Sequence, residues 1–283
     1  WNLVTGVQTC ALPISEMKIG FIGTGVMANA MMGGIISAGV CKPEDIIGAD
    51  PTEFGRNKTK EQNGVEVTDN NLDVLEKCDY VFLTVKPQYY APVIEEIKEH
   101  VKENHVFISI GAGVTLDYLS KAFGSKDVKV VRVMPNTPAQ VGEGMSAACP
   151  NEFVSEEETK TTLSILNAFG RAEVVSENLF DVVTGISGSG PAYVFLFIEA
   201  LADAAVVGGM PRKQAYEFAA QTVYGAAKMV METGKHPGEL KDMVCSPAGT
   251  TIAAVRTLEA NNFRSAVIEG ANAATEKSAA MRG

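Results

Sequence analysis

Three histidines, five cysteines and one tryptophan are all that 283 residues supply of those types. His100, His105 and His236 are dispersed, as are Cys10, Cys41, Cys78, Cys149 and Cys245, with no Cys-x-x-Cys spacing. Neither a metal site nor a disulfide framework is expected, and reduced thiols in a cytoplasmic setting fit this usage. Basic residues are in deficit, 24 Lys and Arg against 34 Asp and Glu for a net charge of −10. Without a basic run to meet phosphates, nucleic acid and anionic membranes are not expected partners. Long apolar runs are scarce too. The richest, Pro191 to Val207, is interrupted by Glu199 and Asp203 and falls short of the roughly 20 residues of a bilayer span, so no membrane crossing is expected.

The first sixteen residues lack the positive start and unbroken apolar core of a signal peptide. They resemble translated sequencing-adapter sequence, and Met17 opens the first strand pattern. Residues 1–16 are therefore expected to be a non-native or disordered leader, which removes Trp1 from functional consideration.

What is present is material for buried cores: 46% of residues are hydrophobic and 20% charged, at a length suited to two domains. From Met17, the runs KIGFI, DIIGAD, VEV, YVFLTV, VFISI and VKVVRV alternate with helical patterns, the signature of a parallel βαβ sheet. YVFLTV and VFISI are almost wholly apolar, as central strands covered on both faces are. Ser146 to Ala148 and Glu173 to Val175 are expected edge strands around a helix from Ser155 to Phe169, where Ser155 and Glu158 spell a capping box. The expected fold is α/β: a doubly wound parallel sheet (Rossmann) over 17–178, followed by an all-α domain over 179–283. Its helices are read at Leu179 to Ile186, Pro191 to Gly208, Arg212 to Thr233, Pro237 to Val244, Thr250 to Ala260 and Phe263 to Arg282. The helix from Pro191 is apolar nearly all round, which a small domain covers poorly, so burial against a second subunit is expected.

Directly after the first strand comes Gly23-Thr24-Gly25-Val26-Met27-Ala28, a G-x-G-x-x-A turn opening a helix. Such a turn lets a pyrophosphate approach backbone N–H groups at a helix start. Its place at the head of a βαβ run lifts it above a packing turn. Asp50 ends the second strand, where a carboxylate accepts from the ribose hydroxyls of NAD and repels a 2′-phosphate. Arg56 and Lys58 follow and suit either such a phosphate or plain solvent. The cofactor is thus read as NAD(P)H, leaning to NADH. Val85-Lys86-Pro87 and Gly111-Ala112-Gly113 sit at further strand ends. In isolation Lys86 reads as a surface charge and Pro87 as a helix-start residue. Ser246-Pro247-Ala248-Gly249-Thr250-Thr251 feeds another helix, its N–H groups suited to a carboxylate. Read alone, Thr250 is an N-cap and Gly249 a turn residue.

The stretch His236 to Glu259, HPGELKDMVCSPAGTTIAAVRTLE, together with GFIGTG, TVKPQ, GAGVTL, RVMPNTPA, GISGSGPAYVF, GGMPR and GAAKM, resembles the pyrroline-5-carboxylate reductase family over essentially all of 17–283. The resemblance implies hydride transfer from NAD(P)H to a cyclic imine. It implies Thr251 as the catalytic hydroxyl at the ring nitrogen, and Ala248, Gly249 and Thr250 as backbone donors to the substrate carboxylate. Asn71, Val85, Lys86, Pro87, Ala112 and Gly113 would line the cofactor, with Glu177 a weaker substrate candidate. It also implies a homodimer through the helical domain and allows a ring of dimers. Two departures stand out. Many relatives carry a small polar residue at Asp50, and glycine is common at Ala248.

A protonated imine is already electrophilic, which suits the lack of an acid–base dyad; positioning does the work. The 3-hydroxyacid dehydrogenases of similar build place a lysine where this chain has Val194, leaving an alcohol substrate without its proton acceptor. Tyr193 reads as core or interface. Reduction of another small carboxylated cyclic imine or oxo acid, and a non-catalytic dinucleotide-sensing dimer, are the alternatives. Neither accounts as well for Ser246 to Glu259.

Overall fold

The structure, a computed structural model, describes residues 17–124 and 127–281; the expected leader, residues 1–16, lies outside them. The β-branched runs form an eight-stranded sheet in the order β3-β2-β1-β4-β5-β6-β7-β8. The strands are β1 (Ile19–Ile22), β2 (Ile46–Ala49), β3 (Glu66–Thr68), β4 (Tyr80–Leu83), β5 (Val106–Ser109), β6 (Lys129–Met134), β7 (Gly144–Pro150) and β8 (Gly170–Val174). β1 to β6 are mutually parallel. The two expected edge strands join this parallel-dominated sheet as β7, antiparallel to β6, and β8, parallel to β7. The short link from β6, carrying only the 3-10 turn Thr137–Val141, cannot make the long crossover that a parallel neighbour requires.

Both faces are covered. On one, α1 (Val26–Ser37) and α6 (Glu156–Asn167) set Met31, Met32, Ile35, Ile165 and Leu166 against Ile19, Phe21 and Phe82, with the two phenyl rings stacked at 4.6 Å. On the other, α3 (Asn71–Lys77), α4 (Tyr90–Ile97) and α5 (Leu116–Ala122) bury Val74, Leu75, Ile94, Ile97 and Leu119 with Val81, Leu83 and Phe107. α2 (Glu53–Asn63) follows β2. Ser155 caps α6 in the expected reciprocal box with Glu158, which satisfies two otherwise orphaned N–H groups.

The chain divides into two units, one running to Gly188 and regaining the residues from Lys277, the other Ser189–Glu276. The sequence placed the boundary at Asn178, within the first of these. The difference has a physical source: the segment after β8 is held to the sheet. Arg132 on β6 is buried, pairs with Glu177 at 2.8 Å and lies 4.4 Å over the Phe180 ring. Asn136 donates to the Ser187 carbonyl at 3.0 Å, and Ser278 donates to Asp181 at 2.8 Å. Between them α7 (Phe180–Val183) relaxes into a π turn at Thr184–Gly188, where Thr184 and Ser187 bond back to the carbonyls of Phe180 and Val183.

The second unit holds α8 (Gly190–Val207), α9 (Arg212–Thr233), α10 (Pro237–Val244), α11 (Thr250–Ala260) and most of α12 (Phe263–Ala280). Its own core is thin, built on Ala202, Ala215 and Ala219. Phe195, Leu196, Phe218, Met231 and Ile268 are each at least half exposed. The length argument against a membrane span is also corrected. The turns before α8 extend its helical run to Glu177–Val207, 31 residues, long and apolar enough to cross a membrane by length and composition.

His105, at the start of β5, is buried; its Nδ1 accepts from the Lys102 N–H at 3.1 Å and its Nε2 faces the Leu75 carbonyl at 2.9 Å. This pattern makes Nε2 the protonated nitrogen of a neutral ring. Burial holds its pKa below the ordinary value, while the Leu75 carbonyl pulls upward, Lys102 downward and Asp79 upward. The unfolded chain therefore binds the proton first. This contribution to stability is complete above about pH 6.5 and is lost as pH falls toward the lower folded pKa. The urea midpoint should drop between about pH 7.5 and about pH 5.5, and drop less in His105→Gln. Equal drops in both proteins would remove His105 from the acid response.

Candidate active site

Parallel strands deliver their following loops to one edge of the sheet, and β1 lies between β2 and β4, where the chain order reverses. The glycine turn after β1 sits there. Its carbonyls are held from inside: Thr84 Oγ1 donates to Gly23 O at 2.6 Å. Asn29 Nδ2 donates to Thr24 O at 2.7 Å and Gly25 O at 3.1 Å, and Asn63 holds Asn29 at 2.8 Å. Gly23 donates to Ala49 O at 2.9 Å. It has φ of 99°, and a Cβ there would meet Val85 and the Thr84 backbone at 2.9–3.0 Å, so glycine is required for the turn itself. Gly25 differs: its φ of −67° suits any residue, and a Cβ there would meet nothing within 4 Å. That open space faces a helix start with no side-chain cap and no acidic residue in its first turn, where the N–H groups of Val26 and Met27 lack intrahelical partners. These residues fit a pyrophosphate, held by outward N–H donors and the helix dipole.

Asp50, at the end of β2, is not an open acceptor. Its Oδ2 accepts from Thr24 Oγ1 at 2.9 Å and more loosely from Thr24 N at 3.4 Å. Its Oδ1 accepts from Thr52 Oγ1 at 2.6 Å and Thr52 N at 2.9 Å. Burial alone would raise its pKa, but these four donors outweigh it and hold the carboxyl below its ordinary value. Asn71 begins α3 after β3 and donates to Glu96 at 2.9 Å. Lys86 and Pro87 open the 3-10 turn Pro87–Tyr89 beside Val85; both are exposed, and the helix-start reading of Pro87 holds alongside its place at the edge. Ala112 and Gly113 are exposed after β5, with open space at Gly113.

Tyr90, which the sequence reading passed over, organises the last two loops. Its buried hydroxyl donates to Leu83 O at 2.8 Å and accepts from Ser109 Oγ at 3.1 Å and Gly111 N at 2.9 Å. Burial pushes this phenol up to about 12, against the pull of its hydrogen bonds, so it stays protonated. A Cβ at Gly111 would strike the ring at 2.7 Å. Asn136, in RVMPNTPA, also escaped assignment; its Oδ1 accepts from Met145 N at 2.8 Å. Asn29 had a readable signal, a lone amide on an apolar helix one turn past Gly25.

In the helical unit, Ser246 to Thr251 closes a turn, with Gly249 N donating to Ser246 O at 3.0 Å. The Gly249 N–H is thereby spent inside the loop. Gly249 is the N-cap of α11, without a side-chain cap, so the N–H groups of Thr250 and Thr251 are left without intrahelical partners. Ala248 has φ of 55°, a conformation that costs a non-glycine residue about 1 kcal/mol or more. Thr251 is half-buried and Thr250 exposed. Glu177 belongs to the sheet unit, where its Oε1 accepts from Arg132 and from Leu116 N, each at 2.8 Å.

Comparison with known proteins gives this geometry a lineage. The chain is 51% identical over 263 residues to the pyrroline-5-carboxylate reductase of Escherichia coli, covering 93% of this chain and 97% of that protein. It belongs to the pyrroline-5-carboxylate reductase family. Residues 177–281 match the family described as pyrroline-5-carboxylate reductase dimerisation, and 18–113 match NADP oxidoreductase coenzyme F420-dependent. The Coxiella burnetii pyrroline-5-carboxylate reductase structure aligns at TM-score 0.90 with 35% identity, covering 95% and 99% of the two chains. A Plasmodium falciparum pyrroline carboxylate reductase with NADP bound aligns at 0.83 with 36% identity, covering 94% and 98%. The dimerisation match falls on the helices whose apolar faces the reductase leaves uncovered, as the sequence anticipated for a homo-oligomer.

Because Gly25 meets nothing, Gly25→Ala should leave the thermal midpoint unchanged while weakening NADPH and NADH binding by about tenfold, or about 1.4 kcal/mol. Titration of cofactor fluorescence checks this, and unaltered affinity would take the pyrophosphate away from this turn.

Proposed function

We propose that this chain reduces 1-pyrroline-5-carboxylate to L-proline, with NAD(P)H supplying the hydride. The observation that carries the reading is the Ser246–Thr251 loop, a helix start with unpartnered N–H groups and a hydroxyl alongside, in a chain of this family. The substrate carboxylate is held by backbone donors of this loop, led by Thr250 with Ala248. Gly249 contributes by shaping the turn, since its N–H already serves Ser246. The Thr251 hydroxyl hydrogen-bonds the ring nitrogen and orients the imine. The new C–H bond forms at C5 while the C=N π pair moves to nitrogen, which keeps its proton. No lysine or histidine is needed to polarise an already cationic imine, so positioning supplies most of the acceleration. On the sheet edge, Gly23, Thr24, Gly25, Val26 and Met27 cradle the pyrophosphate, and Asn71, Val85, Lys86, Pro87, Ala112 and Gly113 line the remaining cofactor surface. Glu177 serves to anchor the start of α5 to Arg132 rather than to bind substrate.

A homodimer through α8, α9 and α12 gives Phe195, Leu196 and Phe218 a partner surface, and a ring of dimers is the larger assembly built on it. Light scattering should give at least twice the 30.0 kDa chain mass; a monomer at micromolar concentration would contradict this. The described free cysteines, with burial holding Cys41 at about 11 and Cys78 at about 12, suit a reducing cytoplasmic compartment.

The purified protein should oxidise NADH or NADPH on addition of pyrroline-5-carboxylate, and more slowly with piperideine-6-carboxylate. Cofactor binding without oxidation would sink the reductase reading. Thr251→Ala should lose about 1–3 kcal/mol in kcat/KM, the worth of one hydrogen bond to a partly charged group. An unchanged kcat/KM would release Thr251 from its role.

A further inference from the structure

The end of β2 decides between the two nicotinamide cofactors, because the adenosine ribose of a dinucleotide on the glycine turn reaches that strand end. A free ribose brings 2′- and 3′-hydroxyl donors and asks the protein for acceptors. A 2′-phosphate brings acceptors and asks for donors. The carboxylate of Asp50 has its four acceptor positions occupied by Thr24 and Thr52, about as many as a carboxylate offers. The start of α2 is wrapped onto it: a Cβ at Gly55 would stand 2.6 Å from the Asp50 carboxyl carbon. The acceptor that a free ribose needs is therefore consumed within the protein.

A donor stands beside it. Arg56 is half-buried and reaches back to the same residue, its Nη1 donating to the Asp50 backbone carbonyl at 2.8 Å. Among the described residues it has no carboxylate partner, although the chain carries a net charge of −10. One bond fixes the guanidinium at the strand end and leaves the rest of its donors uncommitted. Lys58, two residues on, does not share that face of the helix and is exposed.

We infer that Asp50 is a positioning residue that clips the glycine turn to the start of α2, and that Arg56 is the specificity-determining residue, which receives the 2′-phosphate of NADPH. This reverses the NADH preference that Asp50 suggests in the bare sequence, and it rests on the dinucleotide reading of the sheet edge.

The test is calorimetric titration of the intact protein with adenosine 2′,5′-bisphosphate and with AMP, which needs no turnover. The bisphosphate should bind about tenfold tighter than AMP, and Arg56→Ala should bring the two to within about threefold while leaving AMP binding unchanged. Asp50→Asn keeps the side-chain shape but loses acceptors. It should weaken both ligands by similar factors, leave their ratio unchanged and lower the thermal midpoint. AMP binding as tightly as the bisphosphate to the unmodified protein would overturn the inference. So would an unchanged ratio in Arg56→Ala, or an Asp50→Asn effect confined to AMP. Discrimination between these fragments in a protein that fails to reduce the imine would sink the reductase reading and leave this one standing.

Discussion

The hydrogen bonds that hold the Gly23–Gly25 turn from within are the constraint on which the site depends. Thr84 and Asn29 occupy the turn's carbonyls and Ala49 takes the Gly23 N–H. What remains to face outward is one polarity only, the donors at the start of α1. Donors of one sign aimed at one point make an anion site without a basic side chain. A chain with excess negative charge can therefore bind a dinucleotide without a basic patch. The residues that accomplish this come from α1, β2 and the residue after β4, so the turn's shape is fixed by its surroundings together with the glycine at position 23.

Much of this was legible in the sequence, because periodicity and turn chemistry are local. The helices read at Arg212 to Thr233, Pro237 to Val244 and Thr250 to Ala260 begin and end at those residues, each opened by proline or a small-residue turn. The Ser155 and Glu158 box is written in two letters and forms as written. What escaped reading depends on partners distant in sequence. The direction of β7 follows from how little chain separates it from β6, and the inward turn of Asp50 depends on Thr24, 26 residues earlier. Tyr90 gave no signal, since a tyrosine in an apolar helix reads as core until its three hydrogen-bond partners are seen. The spent N–H of Gly249 is likewise invisible to a motif, which records residue types and not where their backbone groups point.

The helical unit reverses the energetic pattern of the sheet unit. Covering eight strands on two faces buries most of the phenylalanine and isoleucine side chains described up to Gly188, whereas the helices from Gly190 onward keep phenylalanine and methionine at the surface. Exposed apolar side chains grouped in this way mark an interaction surface. The segment matches a dimerisation family, and homo-oligomer formation is the kind of association that covers such a surface and adds to the stability of what it covers.

The phenol of Tyr90 links two positions in a way that bears on how this protein can change. Its ring fills the space a side chain at Gly111 would need, and its hydroxyl satisfies the Gly111 N–H. Residues 90 and 111 are therefore not independent letters. Any side chain at 111 needs both the ring at 90 and the side chain of Val114 to give way, and a smaller residue at 90 strands the donors of Ser109 and Gly111 until another acceptor arrives. Substitution at residue 111 is therefore a joint change with residues 90 and 114, which ties the lining of one loop to the packing beneath the other.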